Sequence, residues 1–264
     1  MSLMQDHDTN KTTILDELQD AEMLLVGIGE EFDEKKFLLE QERYLQIEEE
    51  LDQNKMLWML PYIQSYFLKD DRKLQAAYRK LEKCVEGKNY FILTTCMHGQ
   101  LEKQALKPEK IVSPCGSYHK LQCEAENCDT LCDTPESLLR QIEEYISGAR
   151  KPEQIEIPKC PKCGCPLVFN SLYTEHYKEQ GYLDAWGNYT KWLQGTLNRK
   201  ICLLELGVKM TFPSVIRFPF EKVAFFNKKA KLIRINETLY QLSEQIGEKG
   251  ISIAENAVEF MHNL

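Results

Sequence analysis

The amino-acid sequence predicts an α/β fold in which a parallel β-sheet forms one large domain and carries a small inserted module. The first observation is a set of short apolar runs between turn-forming residues, of which 201–206 and 231–235 are the clearest. Runs of this length are typical of strands buried on both faces of a parallel sheet. The second observation is a helical pattern from residue 33 to 86, and the third is a segment with two cysteine pairs. With 264 residues, 43% of them hydrophobic, the chain can form one large domain with a small insertion.

Charge and composition exclude several classes of protein. The net charge of -8 argues against a general nucleic-acid binder, which would carry a basic face. No stretch approaches the roughly 18 apolar residues of a membrane-spanning helix, and the polar start does not resemble a secretory signal. Ten cysteines without such a signal indicate metal or thiol chemistry rather than a disulfide framework. We therefore expect a cytoplasmic protein that binds neither nucleic acid nor membrane.

The first predicted strand leads into a glycine pair. A capped helix over residues 9–21 precedes the apolar run 23–28, which ends in Gly27-Ile28-Gly29. Glycines in this position allow the backbone to turn tightly and to approach a phosphate. The alternative is an ordinary strand-to-helix turn. Glu30 and Glu31 follow directly, and their charge disfavours a bound phosphate.

A second predicted strand ends in polar and nucleophilic residues. After the helical region 33–86, residues 90–93 form a short apolar run that is followed by Thr94, Thr95, Cys96 and His98. Because Cys96 and His98 are two apart in an extended segment, their side chains are expected on the same side. A Cys–His pair can activate a thiolate. The alternative is a buried structural cysteine beside a hydrogen-bonded histidine.

The cysteine-rich segment predicts a structural zinc site. Cys123 and Cys128 form one pair, and Cys160 and Cys163 form a second pair with the Cys-Pro-Lys-Cys-Gly sequence of a zinc knuckle. An acidic helix is predicted between the pairs at 135–148. Cys132 and Cys165 remain alternatives for one of the four ligands. Because four thiolates leave no open coordination position, the metal would hold a small module together rather than perform chemistry.

The last third of the chain predicts a ligand site. A tyrosine-rich helical stretch, 173–192, leads to the two clearest strands, which are followed by Gly207 and by Asn236-Glu237. In open α/β sheets, ligands bind outside the carboxyl ends of the strands. These loops therefore predict a nucleotide pocket. The remainder, 237–263, is predicted as an amphipathic helix or a pair of helices divided around Gly247 and Gly250.

This order of features resembles the sirtuin family, and within it the divergent bacterial branch that includes the macrodomain-linked class M sirtuins. The matching segments are spread from about residue 20 to 240. The most specific are Pro213-Ser-Val-Ile-Arg-Phe-Pro-Phe-Glu221 and Ile233-Arg-Ile-Asn236, and the others are Leu25-Val-Gly-Ile-Gly29, Tyr90-Phe-Ile-Leu-Thr-Thr95, Gly116-Ser-Tyr-His-Lys-Leu-Gln-Cys123, Cys160-Pro-Lys-Cys-Gly164 and Leu204-Glu-Leu-Gly-Val208.

The resemblance implies a Rossmann-like parallel sheet with inserted zinc and helical modules, and lysine deacylation or ADP-ribosyl transfer that consumes NAD. It implies a nucleotide-binding domain over 1–118 and 179–264, with the helical module 33–86 inside it, and a zinc module over 119–178. The implied partners are NAD or a related nucleotide such as ADP-ribose, and a modified protein substrate. By position, the implied nucleotide-binding residues are Gly27, Ile28, Gly29, Thr95, Gly207, Val208, Asn236 and Glu237.

The sequence departs from the family where the catalytic residues are expected. Active members have a serine and then a Gly-Ile-Pro-Asp-Phe-Arg run after the glycines, whereas this chain has Glu30-Glu-Phe-Asp-Glu-Lys35. The family's Asn-Val-Asp or Asn-Ile-Asp is here Cys96-Met97-His98, and its catalytic His-Gly is Cys115-Gly116. A general base of near-neutral pKa contributes about 10²–10⁴-fold in rate.

These departures leave two hypotheses. One is a sirtuin-type enzyme that uses NAD with Cys96, His98 and Cys115 converging on the pocket floor as substituted catalytic residues. The other is a catalytically inactive sirtuin-like protein that binds a nucleotide or acts as a scaffold.

Overall fold

The computed structural model describes residues 2–264, with side chains from residue 11 onward. The first helix begins at Ser2 and not at residue 9 as predicted, and the first residue of the predicted domain 1–118 lies outside the described residues. Among the described residues, no helix is both long and apolar enough to cross a bilayer.

The chain folds into nine helices and nine strands over the described residues, with short 3₁₀ turns between several of them. The helices are α1 (Ser2–Asp20), α2 (Lys35–Leu39), α3 (Glu42–Gln53), α4 (Leu60–Leu68), α5 (Arg72–Val85), α6 (Glu136–Ile146), α7 (Leu183–Gln194), α8 (Arg217–Phe226) and α9 (Ala257–Asn263). The strands are β1 (Met23–Ile28), β2 (Asn89–Thr94), β3 (Ile111–Val112), β4 (Gly116–Cys123), β5 (Leu131–Asp133), β6 (Leu167–Ser171), β7 (Ile201–Leu206), β8 (Lys231–Ile235) and β9 (Gly250–Ile253).

Six strands form one parallel sheet in the order β3-β2-β1-β7-β8-β9. The apolar runs 201–206 and 231–235 are the strands β7 and β8, as predicted. In β1, every residue is buried, as expected for a central strand covered on both faces. The parallel arrangement brings the carboxyl ends of β1, β2, β7 and β8 to a single edge of the sheet.

Two apolar layers cover the sheet. On one face, Leu24, Val26 and Ile28 of β1 belong to a core cluster that includes residues of α1, α5 and α9. On the other face, Met23 and Leu25 belong to a second cluster with residues of α7 and α8. Alternate side chains of one strand therefore enter different layers, which is the three-layer arrangement of an α/β domain.

The cysteine-rich segment carries a separate three-stranded antiparallel sheet in the order β5-β4-β6. Phe169 of β6 packs against Trp58 and Tyr62 of the helical region, with ring centroids 5.2 and 6.5 Å apart. Tyr118 of β4 lies 4.9 Å from Tyr62. These aromatic contacts join the small sheet to the helices between β1 and β2.

Two predictions of secondary structure are wrong. The tail does not form one amphipathic helix or a pair of helices, since residues 250–253 are the edge strand β9 and only Ala257–Asn263 is α-helical. The tyrosine-rich stretch is helical only from Leu183, whereas Tyr173 and Tyr177 lie in the irregular segment before it. In the tail, glycines interrupt the helical pattern, and pairing with β8 decides the conformation of residues 250–253.

A buried ionic network joins β7, β8 and α8. Arg234 donates to both carboxylate oxygens of Glu205, at 2.8 and 2.9 Å, and forms an ion pair with Glu221 at 2.9 Å. Arg217 forms a second ion pair with Glu205 at 3.3 Å and donates to the carbonyl oxygens of Val208 and Leu239. The network therefore fixes the loops that follow β7 and β8.

Candidate nucleotide-binding crevice

The loops after β1, β7 and β8 meet at the carboxyl edge of the parallel sheet. Gly29 donates its N–H to the carbonyl oxygen of Leu206, and Gly207 donates to that of Ile235, both at 2.8 Å. Asn236 continues the series by donating to Ile253 of β9 at 3.1 Å. The structure therefore places Gly29, Gly207 and Asn236 beside one another, as a strand-end pocket requires.

The first two loops are in direct contact. A Cβ atom on Gly29 would lie 2.3 Å from the Cα atom of Val208, so no side chain fits between the backbones. Gly27 has a different environment. It lies inside β1, and a Cβ atom there would meet the Ile216 side chain at 2.3 Å. Gly27 therefore allows close packing of the segment leading into α8, and Gly29 is the glycine that reaches the crevice.

The carboxylate of Glu31 occupies the crevice between the other loops. Its Oε1 atom accepts a hydrogen bond from the backbone N–H of Glu237 at 2.9 Å, and its Oε2 atom accepts one from Ala257 at 2.7 Å. Gly207 has a φ angle of 63°, in the left-handed region, and a Cβ atom there would lie 2.5 Å from the Cβ atom of Glu31. Burial raises the pKa of Glu31, against the opposing effect of the two backbone hydrogen bonds.

Asn236 and its neighbours have structural partners of their own. The Asn236 side chain donates to the carbonyl oxygen of Val208 at 3.0 Å and accepts from the backbone N–H groups of Thr238 and Leu239. Glu237 has an exposed side chain and contributes its backbone N–H to Glu31. The predicted residues Ile28 and Val208 are both buried. Within this group, the backbone rather than the side chains faces the crevice.

The loop after β2 lies against the loop after β1. Thr95 donates its N–H to Ile28 at 3.0 Å, and the Cys96 thiol donates to the carbonyl oxygen of Gly29 at 3.3 Å. The hydroxyl oxygen of Thr95 is buried and has no hydrogen-bond partner among the described atoms. An unpaired buried hydroxyl costs free energy, so it is a position that a polar ligand atom would satisfy.

Asp33, Cys96 and His98 form a cluster at the base of the crevice. One side-chain atom from each lies within 4.8 Å of the others. Burial, and then the nearby Asp33 charge, raise the pKa of the Cys96 thiol well above its usual value. Burial also raises the pKa of Asp33 to about 7. The thiol is therefore protonated at neutral pH.

His98 is neutral and oriented by the backbone. Its Nδ1 atom accepts from the N–H of Gln100 at 3.2 Å, which leaves Nε2–H to donate to the carbonyl oxygen of Phe32 at 3.1 Å. Burial lowers the pKa of His98 to about 4. His98 therefore supplies no positive charge for a Cys96 thiolate in this arrangement.

Cys115 lies close enough to Glu30 and Asp33 for their charges to affect its thiol, as they affect that of Cys96. It is 2% exposed, and burial together with the charges of Glu30 and Asp33 raises its pKa to about 12. The same two residues contribute to the raised pKa of Cys96. The structure thus brings all three predicted catalytic residues to one region, and each of them is in its uncharged form at neutral pH.

Three acidic residues of the crevice have roles that the sequence did not reveal. Glu30 and Glu31 were expected only to repel a phosphate, whereas both carboxylates accept backbone hydrogen bonds. Asp33 was not predicted as a site residue. Its segment reads as the start of a helix, and its approach to Cys96 depends on how the 3₁₀ turn Glu30–Asp33 packs under the β2 loop.

The four predicted zinc ligands come together in the small sheet. The sulfur atoms of Cys123 and Cys163 are 3.4 Å apart, and those of Cys128 and Cys160 are 3.6 Å apart. All four lie within 4.8 Å of one another, which fits a tetrahedral thiolate site. Hydrogen bonding by Thr130 lowers the pKa values of Cys128 and Cys160. Cys132 and Cys165 are not part of the cluster.

Two proteins of similar sequence have names that include ADP-ribosyltransferase. The chain is similar to a protein ADP-ribosyltransferase of Staphylococcus aureus (strain Mu50), with 24% identity over 188 residues, which are 70% of this chain and 59% of that protein. It is 27% identical over 155 residues to a probable bifunctional ADP-ribose hydrolase/ADP-ribosyltransferase of Fusarium oxysporum f. sp. cubense, which are 56% of this chain and 26% of that protein. The chain thus spans less than two thirds of either relative. No family model matches the sequence.

Solved structures of sirtuins superpose on nearly the whole chain. Sir2Tm bound to a propionylated peptide has a TM-score of 0.53 at 16% identity and covers 96% of this chain and 95% of its own. A Sir2 structure with a p53 peptide and NAD+ has a TM-score of 0.55 at 14% identity and covers 95% of each chain. With its parallel sheet, its helical insertion and its four-cysteine module, this chain has the fold of the Sir2 structures.

Proposed function

We propose that the chain binds NAD or ADP-ribose in the crevice between the β1, β7 and β8 loops and does not carry out ordinary lysine deacylation. The observation that carries the nucleotide assignment is the convergence of three backbone N–H groups, from Lys209, Glu237 and Ala257, on anionic oxygen atoms. Backbone donors at the carboxyl edge of a parallel sheet are the usual partners of nucleotide phosphates. The names of the sequence relatives support an ADP-ribose-containing ligand.

The uncharged catalytic positions support the second part of the proposal. A general base works best when its pKa lies near the operating pH. Cys115, at the position of the family's histidine, has a pKa raised to about 12, and His98 has a pKa lowered to about 4. Neither group matches that requirement at neutral pH.

The same observation favours a second candidate, in which the chain is an inactive nucleotide-binding or scaffold protein. The active alternative is ADP-ribosyl transfer onto a protein, as the relatives' names indicate. Nicotinamide release separates the two, because transfer consumes NAD whereas binding alone does not.

The Thr95 hydroxyl offers a test of the ligand site. In the Thr95→Val variant we expect unchanged stability, since the hydroxyl has no described partner, and weaker NAD binding by about fivefold or more. Isothermal titration with NAD and with ADP-ribose measures the change. Thr94→Val is the matched control. The Thr94 hydroxyl already accepts a hydrogen bond from the Cys96 N–H, so it is not an unpaired group that a ligand would satisfy. Absence of heat with both ligands in the wild-type chain would leave the scaffold candidate.

The zinc site and the surroundings of the protein complete the proposal. We propose that Cys123, Cys128, Cys160 and Cys163 hold one structural Zn²⁺, that the module spans 119–178 between the two parts of the nucleotide-binding domain, and that the protein is cytoplasmic. The close sulfur contacts support the metal, since four mutually adjacent thiols are the ligand set that Zn²⁺ prefers.

A further inference from the structure

The donors of the proposed crevice are already bonded to acidic side chains of the same chain. Glu31 uses both carboxylate oxygens, one for the N–H of Glu237 and one for that of Ala257. A carboxylate accepts at both oxygens, whereas a glutamine amide accepts at only one. The two glutamates thus place negative charge where the proposed function requires an anionic ligand.

Glu30 makes the third of these bonds. Its Oε2 atom accepts from the N–H of Lys209 at 2.8 Å. Its Oε1 atom is buried and has no partner among the described atoms, and the whole residue is only 9% exposed. Glu30 also lines a cavity of about 430 Å³ together with Glu31, Lys209 and Asn256. Burying a carboxylate oxygen without a partner is unfavourable, so packing alone does not account for a glutamate at position 30.

Steric contacts reinforce the occupation of the crevice. The Glu31 side chain lies directly over Gly207, within 2.5 Å of where a Cβ atom would stand. Gly29 lies equally close to Val208. A diphosphate therefore has no space beside Gly207 while Glu31 remains in place.

The segment that carries these glutamates is under local strain. Glu34 has a φ angle of 42°, in the left-handed region that a non-glycine residue adopts at a cost of about 1 kcal/mol or more. The 3₁₀ turn that precedes it is only four residues long. Movement of residues 30–34 would release both carboxylates together.

We propose that Glu30 and Glu31 are internal anions that hold the N–H groups of Lys209, Glu237 and Ala257 and exclude phosphate-bearing ligands from the crevice until residues 30–34 move. This inference rests on the proposed function, because it concerns the ligand selectivity of the same site. It makes the two glutamates specificity-determining residues.

The test compares Glu30→Gln, Glu31→Gln and the double variant with the wild-type chain. The probes are inorganic pyrophosphate, ADP-ribose and NAD, and the measurement is isothermal titration at pH 7.5. We expect the double variant to bind pyrophosphate about tenfold more tightly than the wild type, or better. Glu34→Gln is the matched control, because Glu34 lines the same cavity without a described hydrogen bond to a backbone N–H. It removes one carboxyl group from the same cavity and should change the affinity by less than about threefold.

Amide hydrogen exchange provides a readout that does not depend on any ligand. Relative to the wild type, Glu31→Gln should accelerate exchange at Glu237 or at Ala257, because the glutamine amide can accept only one of the two bonds. Glu30→Gln can keep its single bond to the Lys209 N–H, so exchange there should change little. Equal exchange in all chains would overturn the inference, even if a variant proved too unstable for titration.

The outcomes separate this inference from the proposed function. If the double variant gains affinity for pyrophosphate but not for ADP-ribose or NAD, the internal anions stand and the nucleotide assignment fails. If the wild-type chain binds ADP-ribose as tightly as the variants do, the nucleotide assignment stands and the exclusion by glutamate is wrong. No gain in pyrophosphate affinity in any variant also overturns the exclusion.

Discussion

A buried imidazole whose two nitrogens are both engaged by the backbone titrates far from its usual range. We expect His98 to remain neutral, with the proton on Nε2, down to about pH 4, because burial lowers its pKa to about 4. Protonation is suppressed only in the folded chain, so the stability that His98 provides is present above pH 6.5 and is lost as the pH falls from 6.5 to about 4. Two-dimensional NMR of the imidazole nitrogens measures the midpoint, and His98→Gln identifies the signal. A midpoint near 6.5 would contradict the buried environment.

Asp33 has the opposite linkage. Its pKa is raised to about 7 by burial, so the folded chain holds a proton that the unfolded chain releases near 3.8. Stability from this group is present below pH 3.8 and is lost as the pH rises to about 7, by up to roughly 1 kcal/mol per pH unit. Asp33→Asn should therefore be more stable than the wild type at pH 8 and about equal to it at pH 4. Urea unfolding at both pH values measures the difference, and an equal effect at both would refute the assignment.

The residue types in the sequence predicted some of the site residues and missed others. The spacing predicted the four clustered cysteines with Cys132 and Cys165 as alternatives, since only Cys160 and Cys163 form the C-x₂-C turn that places two thiols on one ion. Cys96 and His98 followed from their position after a strand. Asp33 could not be recognised, because its contact with Cys96 arises from two loops that are distant in sequence. The hydrogen bonds of Glu30 and Glu31 depend on the same tertiary arrangement.

At the scale of elements, β7, β8 and α8 are joined by the Glu205–Arg234–Arg217 network. Removing one partner of a buried ion pair leaves an uncompensated charge and typically costs about 3–5 kcal/mol. We expect Glu205→Gln to lose stability of this order, because Arg234 is buried and directs two nitrogens at the carboxylate. Urea unfolding measures the loss.

An exposed ion pair provides the matched control for Glu205. Asp129 and Lys162 lie 2.7 Å apart, with side chains 76% and 63% exposed. Asp129→Asn should cost much less stability than Glu205→Gln, because both partners of the pair are exposed to water. Equal losses in the two variants would show that burial does not determine the energy of the network.

The length of an element decided whether it could be predicted. The six-residue strand β7 and the five-residue strand β8 are short, mostly apolar segments between turn-forming residues, a pattern typical of buried strands. The edge strand β9 has only four residues, Gly-Ile-Ser-Ile, and its sequence alternates like part of an amphipathic pattern. It becomes a strand because β8 offers a free edge for pairing, from Leu232 opposite Gly250 to Ile235 opposite Ile253.

At the scale of the molecule, we expect the four-cysteine cluster to keep the small sheet folded. We expect one equivalent of zinc per purified chain, and less than about half an equivalent in Cys163→Ser, since structural zinc binding is coupled to folding. Cys132→Ser and Cys165→Ser should retain the metal, because neither residue belongs to the cluster. Metal analysis of the four proteins decides between the ligand sets, and zinc loss in either control variant would revise the assignment.

Chelation should affect the two sheets differently. Amide exchange is expected to rise across the β4, β5 and β6 strands, whereas β1, β2 and β7 of the parallel sheet, buried between two apolar layers, should remain protected. The fold class and the order of its parts could be predicted because each part has a distinct pattern. The mutual packing of the parts could not be predicted, because the aromatic contacts between them join positions that are 56 to 111 residues apart in the sequence.

The contact between Trp58 and Phe169 gives the protein an intrinsic optical reporter. Of the three tryptophans, Trp186 and Trp192 are in α7 and only partly buried, whereas Trp58 is 6% exposed against the small sheet. Separation of that sheet from the helices would transfer the Trp58 indole from an apolar environment into water and shift its emission to longer wavelength. A shift in the native tryptophan emission can thus follow the docking of the cysteine module in solution without any label.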